Sequence, residues 1–481
     1  MDKPSLNLVA LSRNPDGSYP VQVNGQSSDP RNRESFFKSV QWSADGTALF
    51  ASSSANRICT FVLPETLLEP REEPTRLKAQ GTLVLGESTS AIAPCPYFAL
   101  ENPSTQVILT ASNDHPIHLH YAFPQPLSSD GSDTTPTSSP TQPPPLSSFR
   151  LIKHETEAYL PITSLIWPAP GTHFIAGTTN RIAIYDVSRP DAMKSEPLLT
   201  IATIPSTRHL SKGNGIGMRG TVSALAAQVR EQGDAGLVAA GTWTRHLGLY
   251  DLQRAGACVA TWGIADAAVE AGVGGRGVMQ IVWSPCGRYL VVNERGASGL
   301  LVYDLRGTNK LLAHLTGRDG DTNQRLSCDV FPGIESVGGF EVWAGMKNGG
   351  VAVWEGVGNQ EGAAAPSWDW KAHESSIGST AMHMSGSVLA TCSGSWKLAD
   401  DDDGTATTDS SDESSSEESE ADSGSETSSS GSSSGSSSAS SSSSFNSPFI
   451  VEETSLKIWS IGPGKPLDTN SSIEYAEKPE R

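Results

Sequence analysis

Apolar and polar residues alternate along this chain in short runs, each broken after a few residues by turn-forming glycine, proline or asparagine. The clearest stretch is residues 279–305, which read MQIVW, SPCGR, YLVVN, ERGAS and GLLVYDL. Such alternation suits a strand with one face buried and the other half-covered. Ala44-Asp45-Gly46, Pro168 to Gly171 and Pro285-Cys286-Gly287 supply turn chemistry between the first two runs of their units. The same three-strand phrase recurs at residues 39–64, 91–123, 163–188, 222–252, 279–305 and 326–355. It recurs again at 380–395, where the third strand resumes only at 455. Seven units of this kind predict an all-β fold, a seven-bladed β-propeller.

The pattern also divides the chain. Residues 1–38 form an N-terminal segment, and a strand near Leu6 to Leu11 is expected to close the ring as the outer strand of blade seven. Residues 39–398 carry the blades through the first half of the seventh, and 450–463 the remainder of that blade. Residues 399–449 read as a disordered acidic and serine-rich insert within blade seven, and 464–481 as a disordered tail. A second Pro/Ser/Thr-rich segment, 123–148, reads as a flexible loop between blades two and three.

Charge is concentrated in one place. Residues 400–426 hold 12 acidic side chains and no Lys or Arg, so a net charge of −19 leaves −19 + 12 = −7 for the rest. The body is mildly acidic, and its bulk charge does not bear on nucleic-acid binding. Within the insert, Ser410, Ser414, Ser415, Ser419 and Ser423 each have an acid three residues on. They are candidate sites for acid-directed phosphorylation, which would add about −1.5 to −2 charges each. Such an arm is expected either to compete with RNA for basic loops or to attract basic partners.

The six cysteines are scattered and form no CxxC pair, which points to reduced, buried thiols. No signal-peptide core and no 18-residue apolar run occur, so a soluble intracellular protein without membrane contact is expected. Catalytic motifs are absent: no phosphate loop, HExxH or GxSxG, and no repeated carboxylate set at strand starts. The expectation is a non-enzyme without cofactor. His118 and His120 share a strand face, but a core or exposed strand reading outweighs a metal pair, and no metal is expected. The glycine run 272–277 precedes a strand rather than a helix, so it is a weak nucleotide signal.

Basic residues gather in the connections. Arg208, Lys212 and Arg219 lie between units three and four, and Arg318 and Arg325 between units five and six. Arginines on loops suit phosphate contact and base stacking, although solvated loop charge gives the same pattern.

Unit-ending pairs, Tyr185-Asp186, Tyr250-Asp251, Tyr303-Asp304 and Trp354-Glu355, resemble the Trp-Asp signature of WD40 repeats, and His373 resembles that family's Gly-His histidine. FFKSVQWSADG (36–46), ASNDHPIHLHYAF (111–123), SFRLIKHETE (148–157), NRIAIYDVSRP (180–190), TWTRHLGLYD (242–251), TNQRLSCDV (322–330) and LATCSGS (389–395) are more specific. In these phrases and their order, the chain resembles a fungal member of the telomerase Cajal body protein family. It departs from the family at Asn113-Asp114-His115 and at His120-Tyr121.

The resemblance implies a monomeric scaffold that binds small nuclear RNA, such as telomerase RNA, and ribonucleoprotein proteins, and assists their localisation or assembly. It implies a nuclear location, Cajal-body-like or nucleoplasmic, with a possible cytoplasmic pool. The positions it carries over are Asn180, Arg181, Arg189, Arg245, Asn323, Gln324 and Arg325. Asn180-Arg181 equally fits a turn-fixing role. The alternative is a protein–protein scaffold in pre-mRNA splicing that does not touch RNA.

Overall fold

The computed structural model describes residues 3–13, 35–123, 144–153, 155–189, 196–204, 217–229, 235–307, 310–333, 337–398, 449–451 and 453–462. Seven sheets of four antiparallel strands, two of them extended at the outer edge by a short parallel strand (Thr75–Arg76 and Gly362–Ala364), make a seven-bladed propeller. Inner strands begin at Phe37, Thr89, Ser164, Val222, Val278, Cys328 and Ile377. Second strands are buried on both faces: Ala48–Ser53 and Val388–Ser393 have no exposed residue. They are sandwiched between neighbouring blades, and their small and β-branched side chains fit that narrow space.

The aromatic–acid pairs have separate duties. Tyr185, Tyr250, Tyr303 and Trp354 are almost wholly buried plugs between blades. The acids after three of them cap the following turn: Asp186 accepts from Ser188 N at 2.9 Å, Asp251 from Gln253 N at 3.0 Å and Asp304 from Arg306 N at 3.0 Å.

Blade seven is assembled from both ends of the described chain. Its strand order is Ile377–Met382, Val388–Ser393, Ser455–Gly462 and then Ser5–Ser12. Ser5–Ser12 runs antiparallel to Ser455–Gly462, from Ser5 opposite Gly462 to Ser12 opposite Leu456. His373 locks the blade internally. Its Nε2 lies 2.8 Å from Thr391 Oγ1, its Nδ1 lies 2.9 Å from Ser455 Oγ, and Trp459 Nε1 donates to Thr391 Oγ1 at 3.0 Å. A separate two-stranded ribbon pairs Trp396–Leu398 with Phe449–Val451.

One segment sits differently from its expected place. Ser147–Phe149 pairs with Ile117–Tyr121, so it is the outer strand of blade two. The Pro/Ser/Thr-rich segment therefore lies inside blade two, between its third and fourth strands, rather than between blades two and three. A three-residue strand without strong alternation leaves no signal in the sequence, and only its partner defines it.

Candidate functional site

Propeller topology sorts every connection to one of two ends. Inner strands start, second strands end, and third strands begin at the same end of the ring. Connections between second and third strands, and between one blade and the next, therefore share that end. Connections between third and fourth strands lie at the other.

Most candidate residues fall at the first end. Arg181 opens the third strand of blade three, Arg245 ends the turn into the third strand of blade four, and Arg219 precedes blade four. Arg318, Asn323, Gln324 and Arg325 all precede the inner strand of blade six. Arg189 follows the third strand of blade three and so lies at the opposite end, where its Nε sits 3.8 Å from Asp186. Arg208, Lys212 and the five serines Ser410, Ser414, Ser415, Ser419 and Ser423 lie outside the described residues.

Several candidates are committed to the fold. Asn180 adopts a positive φ of 58°, and its Oδ1 accepts from Gly220 N at 2.7 Å, which pins the next connection. Equivalent turns use Asn56, Asp114, Gly296 and Gly349, all residue types that tolerate this conformation. Arg245 takes it at φ 62° and is held by a bidentate pair to the buried Glu294, Nε to Oε1 and Nη2 to Oε2, both 2.8 Å. Its charge is neutralised there.

Arg318 requires a correction. Expected on a flexible loop, it is only 4% exposed. Its guanidinium donates to Gly345 O at 3.0 Å, Asn293 Oδ1 at 2.7 Å and Leu326 O at 2.8 Å. It ties blade five to blade six and presents no donor to a partner.

Arg325 is different. It lines a central channel of about 710 Å³ to which all seven inner strands contribute. Its Nη2 donates to Met279 O at 2.6 Å and Ser223 O at 3.3 Å, both main-chain oxygens from other blades. The side chain is walled in by protein yet open to solvent along the channel. Lys38 lines the same channel from blade one, and its Nζ donates to Thr89 O at 3.3 Å. Burial pushes the Lys38 pKa down, and the nearby Arg325 charge adds to the effect. Gln324 donates from Nε2 to Gly394 O at 2.6 Å, linking this connection to blade seven. Asn323, exposed, accepts from Arg276 Nη1 at 3.3 Å, while Arg276 Nη2 reaches Asp321 at 3.4 Å.

The residues that sequence reasoning missed are Lys38, Trp243, Arg276 and Arg295. Arg295 stacks over the Trp243 ring, 4.7 Å from its centroid. The glycine run is what lets these groups approach. A Cβ on Gly277 (φ 147°) would lie 2.3 Å from Trp243, and one on Gly275 (φ 129°) would lie 2.2 Å from Glu294 Oε2. The run serves packing, not a nucleotide. The one available signal was a Trp in one second-to-third-strand turn and an Arg in the next blade's equivalent turn.

His118 and His120 stack edge to face with centroids 5.6 Å apart. Burial, then the neighbouring His118, pushes the pKa of His120 down to about 4. Among the described residues no group of three or more metal-ligating side chains occurs.

Asp329 also lines the channel and accepts from Val330 N at 2.8 Å and Met382 N at 2.7 Å. Burial pushes its pKa up to about 6, whereas an unfolded aspartate titrates near 3.9. Folding therefore takes up a proton, and Asp329 costs stability as the pH rises through that window. The melting temperature of wild type, relative to Asp329→Asn, is expected to fall between about pH 4 and about pH 7. A difference that stays flat across the range would show that the carboxyl keeps its ordinary pKa.

No protein-family model matches the chain. Over 341 residues it is 22% identical to "Guanine nucleotide-binding protein negative regulator 1" of Schizosaccharomyces pombe, which covers 70% of this chain and 75% of that protein. Over 290 residues it is 24% identical to "Protein SWT21" of Vanderwaltozyma polyspora, covering 59% of this chain and 60% of that protein. The chain thus spans less than two thirds of this second relative. Seven blades and these distant similarities fit a WD40-type propeller, a fold that serves as an interaction scaffold. Among the described residues, no helix is long and apolar enough to cross a membrane.

Proposed function

We propose that this protein is a non-catalytic propeller scaffold that binds small nuclear RNA or its ribonucleoprotein and assists its localisation or assembly in the nucleus. One observation carries the reading. Arg181, Arg219, Arg276, Arg295, Arg325 and Lys38 collect at one end of the ring. Among the described residues, neither Lys38 nor Arg325 has a carboxylate partner. Cations held on neutral carbonyl oxygens keep their charge available for phosphate, and RNA binding draws on such charge. Telomerase RNA and a Cajal-body-like destination belong to the same reading and rest on the family resemblance. Serine phosphorylation in the acidic insert would tune it.

The test is ultraviolet crosslinking of the tagged full chain in cells, followed by sequencing of the bound RNA. Enrichment of small nuclear RNA over a mock purification is expected. Recovery of protein partners with no RNA above background would favour the second reading, a protein–protein scaffold. That reading draws support from the relative named as a negative regulator of a guanine nucleotide-binding protein.

A further inference from the structure

At this end of the ring the cations are held in different ways. Arg245 is spent on Glu294. Arg276 faces Asp321, and Arg318 is buried on neutral oxygens. Lys38, Arg295 and Arg325 are also held without a carboxylate partner among the described residues. Lys38 and Arg325 bond to main-chain oxygens, and Arg295 rests on an aromatic face. The channel's own carboxylate, Asp329, accepts from two backbone amides and from neither cation.

Arg325 feels both other charges. Its field lowers the pKa of Lys38, and Arg295, after burial, lowers its own. Like charges held close raise each other's energy, and an anion between them relieves it. Arg295 adds a further sign: its Nε is buried and unpartnered among the described residues. A guanidinium pre-oriented on a Trp ring with donors to spare suits a phosphate and a stacked base together.

We propose that the channel mouth binds the backbone of single-stranded RNA, with Lys38, Arg295 and Arg325 as its phosphate donors and the Trp243–Arg295 stack as a platform for a base. The inference rests on the RNA reading above and names its site. A channel of about 710 Å³ is of the size that holds one small ligand, so a nucleotide unit fits and a duplex does not. Single strands bind through a basic groove combined with stacking surfaces, which is the combination present here.

The experiment measures fluorescence anisotropy of a labelled oligouridylate with the full chain across a salt series. The variants are Lys38→Met, Arg295→Ala and Arg325→Gln. The control is Arg254→Ala, an exposed arginine after the third strand of blade four and so at the opposite end. Each mouth variant is expected to bind on the order of tenfold more weakly, the size of a charge-assisted hydrogen bond. Removing one phosphate-neutralising cation should flatten the salt slope by about 0.7. Thermal melts check that the variants fold. Arg295→Ala, whose side chain rests on a ring rather than on the neighbouring blades' carbonyls, serves if Arg325→Gln does not fold.

Unchanged affinity in folded mouth variants overturns the proposal, and so does an equal loss in Arg254→Ala. If crosslinking still recovers RNA in that case, the RNA reading stands and only its placement fails. If wild type ignores oligouridylate but binds inorganic tripolyphosphate at the mouth, RNA is overturned as the occupant.

Discussion

Deleting residues 1–13 is expected to lower the melting temperature of the propeller by on the order of 10 °C, with loss of a single sharp transition. The deletion removes Ser5–Ser12, the outer strand of blade seven. Ala10 is fully buried in it and packs in the same core as Leu456, Ile458 and Phe61. Without it, Ser455–Gly462 becomes an edge with unpaired backbone groups, a template for aggregation. The ring also loses the device that ties its first and last segments. A ring closed by one strand from the opposite terminus cannot unravel from its last blade, because that blade needs both ends in place. Differential scanning calorimetry of the truncated chain checks this, and adding a synthetic peptide of residues 3–13 should restore part of the loss. An unchanged melt would mean that closure does not depend on this strand.

Arg318→Ala should be the most damaging single substitution among the arginines, costing on the order of 3 kcal/mol or more. It leaves Gly345 O and Asn293 Oδ1 without the donor they have now, in a site sealed from water. It also empties the volume of a buried side chain between two blades. Arg318→Lys recovers little, since one ammonium cannot reproduce a planar fork directed at three acceptors. Burial pushes the Arg318 pKa down to about 10, so the group remains charged at neutral pH and leans on carbonyl dipoles. Chemical denaturation will show the loss as a lower midpoint with unchanged slope. Little change in midpoint together with weaker RNA binding would instead return Arg318 to the surface role that its loop position implied.

Strands buried on one face or both were plain in the sequence pattern, because burial constrains their composition. Outer strands were not: Leu199–Ala202 alternates only between half-buried and exposed positions, and Ala257–Gly263 begins with three exposed residues. Hydrogen bonding to the third strand makes them strands, and that information sits on the partner. The N-terminal strand was expected from a topological need, since residues 450–463 supply blade seven with a third strand but no outer one.

Among the charges, Arg318 and Arg325 stand in one connection, in the same glycine- and polar-rich setting. Apart from the TNQR phrase that contains Arg325, nothing in their local sequence separates the two. Arg295 and Trp243 look like ordinary turn residues, and the glycines that admit Trp243 lie in a different connection.

A ring of seven units, the turns that orient its strands and a last blade split by an acidic insert were all written in the amino-acid order. Those features follow from local periodicity and turn chemistry, which neighbouring residues encode. Which cations keep their charge free emerges only in the folded ring. Glu294, from the next blade, neutralises Arg245, whereas Arg325 meets only the neutral carbonyls of Ser223 and Met279 from other blades and keeps its charge. Closing the ring brings those partners together, and no window of sequence contains both members of a pair.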